Sequence, residues 1–135
     1  MASTLTWIGL TVTATLRAIA AVLPTRRLTL VRVVGDSMLP ELRSDDIVVV
    51  KRLRHGLPAK NDIAVFSAGR MGEFLIKRVY AGPGDSLGVG PLKTVAAGSV
   101  YLVSDNRPST GSGVMFGPVA AENLLGVVLF RMPRL

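Results

Sequence analysis

From Leu28 onward the apolar residues of this chain gather into six short runs rich in β-branched side chains: 28–34, 47–51, 63–66, 74–80, 100–103 and 124–130. Turn formers cut them apart, at Gly35-Asp36, His55-Gly56-Leu57-Pro58, Lys60-Asn61-Asp62, Ala68-Gly69, Gly82-Pro83-Gly84-Asp85 and Asn106-Arg107-Pro108. Runs this short and this branched are strands, because two heavy atoms on Cβ suit a pleated surface better than a helix. Several are continuously apolar, so both faces are covered or the sheet is coiled towards a barrel. The reading is a mainly β domain over residues 28–135. At 49% apolar residues, the chain is too hydrophobic to remain disordered. Residues 88–98, rich in Gly and Ala, read as a loop or a small hairpin.

The N-terminal part follows a different rule. Residues 5–23, LTWIGLTVTATLRAIAAVL, form one apolar stretch with Trp7 near one end and Pro24 beyond the other. As a helix it measures about 28 Å, close to a bilayer core of roughly 30 Å. Arg17 within it costs about 3 kcal/mol at a bilayer centre and less near an end. Three readings stand: a single-pass membrane anchor, a helix lying on a membrane or on the protein, and a cleaved signal with Ala18-Ile19-Ala20 as its small-residue site. Residues 1–27 are taken as an N-terminal helix and anchor with a basic flank, Arg26 and Arg27. By the positive-inside rule those arginines keep the domain cytoplasmic.

Composition removes whole classes of chemistry. The chain has no cysteine and a single histidine, His55. Disulfide frameworks, thiolate nucleophiles and cysteine-ligated zinc are excluded, and a histidine-pair metal site with them. No metal and no organic cofactor is expected. The net charge is +7, but residues 1–35 carry Arg17, Arg26, Arg27 and Arg32 with no acid. An excess placed beside an apolar run points to a lipid surface, not to nucleic acid. Aromatic residues at 5% are too sparse for base stacking.

Chemistry without Cys or a His relay leaves a hydroxyl paired with a lysine or a carboxylate. Gly35-Asp36-Ser37-Met38-Leu39-Pro40 follows the first run at a tight turn, where a serine can be presented. Lys77 lies mid-run in 74–80, and alternation sets it on one face with Leu75 and Val79. Loss of water there favours a neutral amine able to take a serine proton. Each piece also has an ordinary reading: Gly-Asp-Ser as a plain turn, Lys77 as an edge-strand lysine. Residues 105–110 read equally as a polar loop, and His55 as a solvated turn residue.

In order along the chain, the pieces resemble the signal peptidase I family of membrane-associated serine endopeptidases. Ser37-Met38-Leu39-Pro40 is similar to that family's nucleophile block, Ser-Met-x-Pro. The segment from Lys77-Arg78 to Gly82-Pro83-Gly84-Asp85 is similar to its base block, with one residue more before the glycine. Ser104-Asp105-Asn106-Arg107 stands where the family has Gly-Asp-Asn-Arg, and Phe116-Gly117-Pro118-Val119 with Leu125-Gly126-Val127-Val128 resembles its closing segment. The resemblance implies a small coiled, barrel-like β fold of the kind shared with LexA-type repressors.

It also implies roles. Ser37 is then the nucleophile, Lys77 the general base, and the Ser37 N–H one oxyanion donor. The family's second donor is often a hydroxyl where this chain has Gly35, so a backbone or water donor takes its place. Thr110 stands where family members hold the lysine with a hydroxyl. Met38, Pro40, Arg78, Asp105 and Asn106 support the site. Ser112-Gly113-Val114 replaces the usual Asp-Ser-Arg, which removes a supporting salt bridge. The segment between Lys77 and Asp105 is too short for the insertion domain of large bacterial members, so this is a compact form. The Phe-Gly-Pro-Val segment and the charge pattern lean towards the proteases that mature nickel-type superoxide dismutase.

The implied activity is cleavage of signal or leader peptides after small residues, the precursor bound as an extended strand beside membrane lipid. The family favours an extracytoplasmic catalytic domain, against the charge pattern. Two alternatives remain: a catalytically impaired, membrane-tethered β scaffold, and a LexA-like self-cleaving regulator. The latter lacks room in residues 1–35 for a DNA-binding domain.

Overall fold

The computed structural model describes residues 27–68, 72–88, 94–107 and 115–134. The apolar segment 5–23, Thr110 and Ser112-Gly113-Val114 lie outside the described residues. No helix among the described residues is long and apolar enough to cross a membrane.

Seven strands form one antiparallel sheet: β1 (Leu28–Arg32), β2 (Ile47–Arg52), β3 (Ile63–Ser67), β4 (Phe74–Ala81), β5 (Ser99–Val103), β6 (Met115–Ala120) and β7 (Leu124–Arg131). Their order is β1-β2-β7-β3-β4-β5-β6, with β1 and β6 at the two edges. Six strands coincide with the six apolar runs; the first stops at Arg32, two residues early. The seventh, β6, was not read as a strand. Its sequence, MFGPVA, carries Gly117 and Pro118, and an edge position is where a sheet tolerates proline. A short 3-10 turn, Ala121–Asn123, joins β6 to β7. Among the described residues of 88–98, Thr94 forms an isolated bridge with Ser86.

Three aspartates close the turns that cut these strands apart. Asp46, Asp62 and Asp85 each accept, through Oδ2, the main-chain N–H three residues back, from Arg43 (2.8 Å), Ala59 (2.9 Å) and Gly82 (2.9 Å). A carboxylate placed this way substitutes for a backbone acceptor and fixes the reversal.

Both faces of the central strands are covered. Ile63 and Val65 of β3 pack with Val33, Met38, Leu42, Val48 and Val50 in one core. Ala64 and Phe66, their alternating neighbours, pack with Val79, Val100, Leu102, Val119 and Leu124 in a second. The same alternation sends Ile76 of β4 to the first core and Leu75 and Val79 to the second. Continuous apolar runs are what such a double-sided wall requires.

Gly126 of β7 pairs with Arg52 of β2 and Val65 of β3. A Cβ there would lie 2.2 Å from the Lys51 carbonyl oxygen, so no larger residue fits without moving the β2 backbone.

Candidate active site

Ser37 sits on the turn that leaves β1. Gly35 opens that turn with φ +91°, a conformation L side chains rarely adopt. Met38, fully buried, drives its side chain into the first core. The turn continues with Leu42 N–H on the Met38 carbonyl (2.9 Å) and Leu39 N–H on the Asp36 carbonyl (3.1 Å). Ser37 is thereby held half-buried between an exposed Asp36 and a core plug.

Lys77 lies on β4, inside the sheet between β3 and β5, with Ala64 as its cross-strand partner. The edge-strand alternative therefore fails. The residue is only 7% exposed, on the face of β4 that carries Leu75 and Val79. Its Nζ lies 2.6 Å from Ser37 Oγ. Burial among apolar groups pushes the amine below its ordinary pKa. The ring of Phe116 on β6 stands 5.4 Å from the same nitrogen, centroid to Nζ.

The loop after β5 braces this pair from two sides. Asn106 donates its main-chain N–H to the Ser37 carbonyl (2.9 Å) and its side-chain amide to the Asp36 carbonyl (3.0 Å). Asp105 accepts a forked pair of bonds from Arg78, Nε at 2.6 Å and Nη2 at 2.7 Å. Arg78 adjoins Lys77 in sequence but points off the opposite face of β4, where Nη1 also reaches the Asn61 carbonyl (2.8 Å). Strand β4, the turn that carries Ser37 and the Asp-Asn loop are thus tied together. A bidentate Arg–carboxylate pair fixes orientation as well as distance.

Of the expected site residues, Ser37, Lys77, Met38, Arg78, Asp105 and Asn106 come together. Pro40 is exposed, further along the nucleophile turn. The Gly35 N–H donates to Ser44 Oγ (3.2 Å), which sets a hydroxyl beside the position that lacks one. His55 is exposed, as a turn residue. Among the described residues, no three His, Cys, Asp or Glu side chains gather where they could hold a metal ion.

Sequence reasoning missed Ser44 and the placement of Phe116, both of which act across the fold. It also missed Asp46, fully buried, which accepts bonds from Arg134 Nε (2.8 Å) and, more weakly, Arg131 Nη1 (3.4 Å). The Arg43 N–H first, and then these arginines, hold its carboxyl below the usual range despite burial. Asp46 also anchors β1 through its carbonyl, which accepts Val33 N–H (2.8 Å).

The family model for Peptidase S24-like proteins matches residues 10–94, a span that includes both Ser37 and Lys77. The chain belongs to the Peptidase S24-like family. This peptidase S24-like chain is also similar to a probable signal peptidase I-1 of Synechocystis sp., with 28% identity over 131 aligned positions that cover 72% of this chain and 67% of that protein. The resemblance to signal peptidase I carried by the sequence blocks agrees with both comparisons. They place the chain among serine peptidases.

Proposed function

We propose that this chain is a serine endopeptidase that uses a Ser37/Lys77 dyad to cleave signal or leader peptides from precursor proteins after small residues. The observation that carries the reading is the 2.6 Å separation of Ser37 Oγ and Lys77 Nζ, with the lysine buried and its amine less basic than usual.

The chemistry needs no other group. Ser37 Oγ attacks the scissile carbonyl carbon while Lys77 Nζ takes the hydroxyl proton. The oxyanion that forms is met by the Ser37 main-chain N–H, a contact realised only as charge develops. As the tetrahedral species collapses, Lys77 returns its proton to the leaving amine, which departs with the mature chain. The same lysine then takes a proton from water, whose oxygen attacks the acyl-Ser37 ester; as that second tetrahedral species collapses, Lys77 returns the proton to the departing Ser37 Oγ and the leader is released as a carboxylate.

β1 offers a place for the substrate. Among the described residues it pairs with β2 alone, and it leads through Val33 and Val34 directly into the nucleophile turn. An extended peptide can add to that free edge and arrive at Ser37 with alternate side chains facing the protein. Val34, 82% exposed, supplies apolar surface there. Residues 5–23 are assigned as the membrane anchor, which brings the domain to precursors at the bilayer. Among compact forms, the type that matures nickel superoxide dismutase is favoured by Phe116-Gly117-Pro118-Val119.

Mass-spectrometric cleavage of a peptide library at mildly alkaline pH, which favours the neutral form of a lysine depressed by burial, tests the reading. Wild type, Ser37→Ala and Lys77→Ala are run in parallel in detergent. Cleavage after small residues that disappears in both variants is the expected result. Activity surviving in Ser37→Ala would overturn the dyad, and inactivity of the folded wild type would favour the scaffold. A drop in the wild type's own mass on incubation would instead favour a self-cleaving regulator.

A further inference from the structure

The environment of Lys77 holds one group that the dyad mechanism leaves unused. Phe116 projects from β6 with its ring 5.4 Å from Lys77 Nζ. Its orientation is fixed from behind by Phe66, a fully buried residue of β3, through an edge-on contact with centroids 6.1 Å apart and planes at 60°. A lysine nitrogen within about 6 Å of an aromatic centroid is attracted to the ring face only when it carries charge. The neutral amine gains almost nothing from the same ring. An interaction that switches on with protonation is of the kind that lowers a barrier, because it is stronger after proton transfer than before.

We propose that Phe116 is a positioning residue for the base: its ring receives the ammonium that Lys77 becomes when it takes the Ser37 proton. This rests on the dyad reading above. Burial withdraws water from the amine and favours its neutral form, while the ring replaces part of that lost stabilisation once the proton arrives. Two opposed effects on one nitrogen make a base weak enough to be free and strong enough to accept.

No nearby charge duplicates this role among the described residues. The β3 partner of Lys77 is Ala64, and β6 has no titratable side chain from Met115 to Ala120. β5 contributes only Tyr101, and the turn after β1 contributes Asp36 and Glu41, both exposed. Arg78 and Asp105 are paired with each other off the opposite face of β4, and Arg107 Nε is bound to the Ser104 carbonyl (3.1 Å). Burial pushes the Lys77 amine below its ordinary value, and no charged group adds to that shift.

The sign of a single measurement separates this role from simple shielding. The Lys77 titration is followed by NMR of lysine labelled at Cε, in the full chain in detergent, for wild type, Phe116→Leu, Phe116→Met and Phe116→Tyr. Leucine and methionine keep the apolar cover but lack a ring, and the two together guard against one of them failing to fold. The expected result is a fall in the titration midpoint of about half a pH unit in both, with tyrosine retaining the wild-type value. On the high-pH plateau, kcat falls about threefold in the ringless variants with KM unchanged, and tyrosine restores it. A midpoint that stays or rises in the ringless variants overturns the proposal. The titration does not depend on turnover: a downward shift in a protein that cleaves nothing sinks the dyad reading alone, and an unmoved midpoint in an active enzyme sinks the ring's role alone.

Discussion

Ser37 Oγ and Lys77 Nζ meet at 2.6 Å although forty residues separate them along the chain. The contact is built from two independent constraints, a turn plugged into one core by Met38 and a strand interior to the sheet. Because the lysine is buried with no carboxylate partner among the described residues, it costs stability. Lys77→Met, close in volume and free of charge, is expected to raise stability by about 1 kcal/mol, or about 4 °C in Tm, while abolishing cleavage. Thermal unfolding paired with a cleavage assay checks both.

The pH dependence follows with a definite sign. The folded-state pKa of Lys77 lies below the ordinary 10.5, so over that window the unfolded chain binds the proton more readily. Stability therefore rises with pH between the depressed value and 10.5, and this contribution vanishes in Lys77→Met. Catalytic efficiency rises over the same limb as the amine becomes neutral. Urea denaturation across alkaline pH in the two proteins reads the first, and a pH–rate profile reads the second.

Asp46 gives a slope of the same sign at the acid end. Its carboxyl is held below 3.8 by the Arg43 N–H and by Arg134 and Arg131, so its contribution is present above that value and lost as pH falls through the depressed one. Asp46→Asn is expected to lower Tm by several degrees at neutral pH and to flatten the acid limb of the stability curve. Loss of the buried charge that the Arg43 N–H and the two arginines are bonded to has that effect.

Asn106 holds the nucleophile turn by two bonds, one from its main chain and one from its side chain. Asn106→Ala removes only the side-chain bond to the Asp36 carbonyl. It is expected to lower kcat about tenfold, since a small misplacement of the hydroxyl is amplified in rate, with Tm changed by no more than a few degrees. Single-turnover acylation kinetics would show the loss in the chemical step.

Gly126→Ala should be severe for a steric reason. With 2.2 Å between the added Cβ and the Lys51 carbonyl oxygen, β2 and β7 must separate. A cost of about 3 kcal/mol or more is expected from such overpacking, and circular dichroism with thermal unfolding will report it.

Much of the architecture was legible in the sequence because β-branched runs and turn formers alternate cleanly from Leu28 onward. Alternation within 74–80 correctly gave Lys77 a face shared with Leu75 and Val79, but it could not say that β3 and β5 would flank that strand. β6 escaped because Met115–Ala120 reads as a Gly-Pro interruption, and its strand character comes from pairing with β5. Ser44 and Phe116 escaped for a related reason: nothing near either residue in sequence signals a contact made across the fold. Arg78 and Asp105 were named as supports from the resemblance, and the ion pair between them gives that support a geometry.

The burial of Met38 beside Ser37 also ties heat tolerance to reactivity. Besides the two bonds from Asn106, the serine takes its position from a side chain wedged among Val33, Leu42, Val48 and Val65. Any loosening of that wedge, whether by warming or by a conservative replacement several residues away, detunes the hydroxyl before the sheet itself comes apart. Evolution of such a chain towards a colder or hotter habitat must therefore retune the interior and the reaction together.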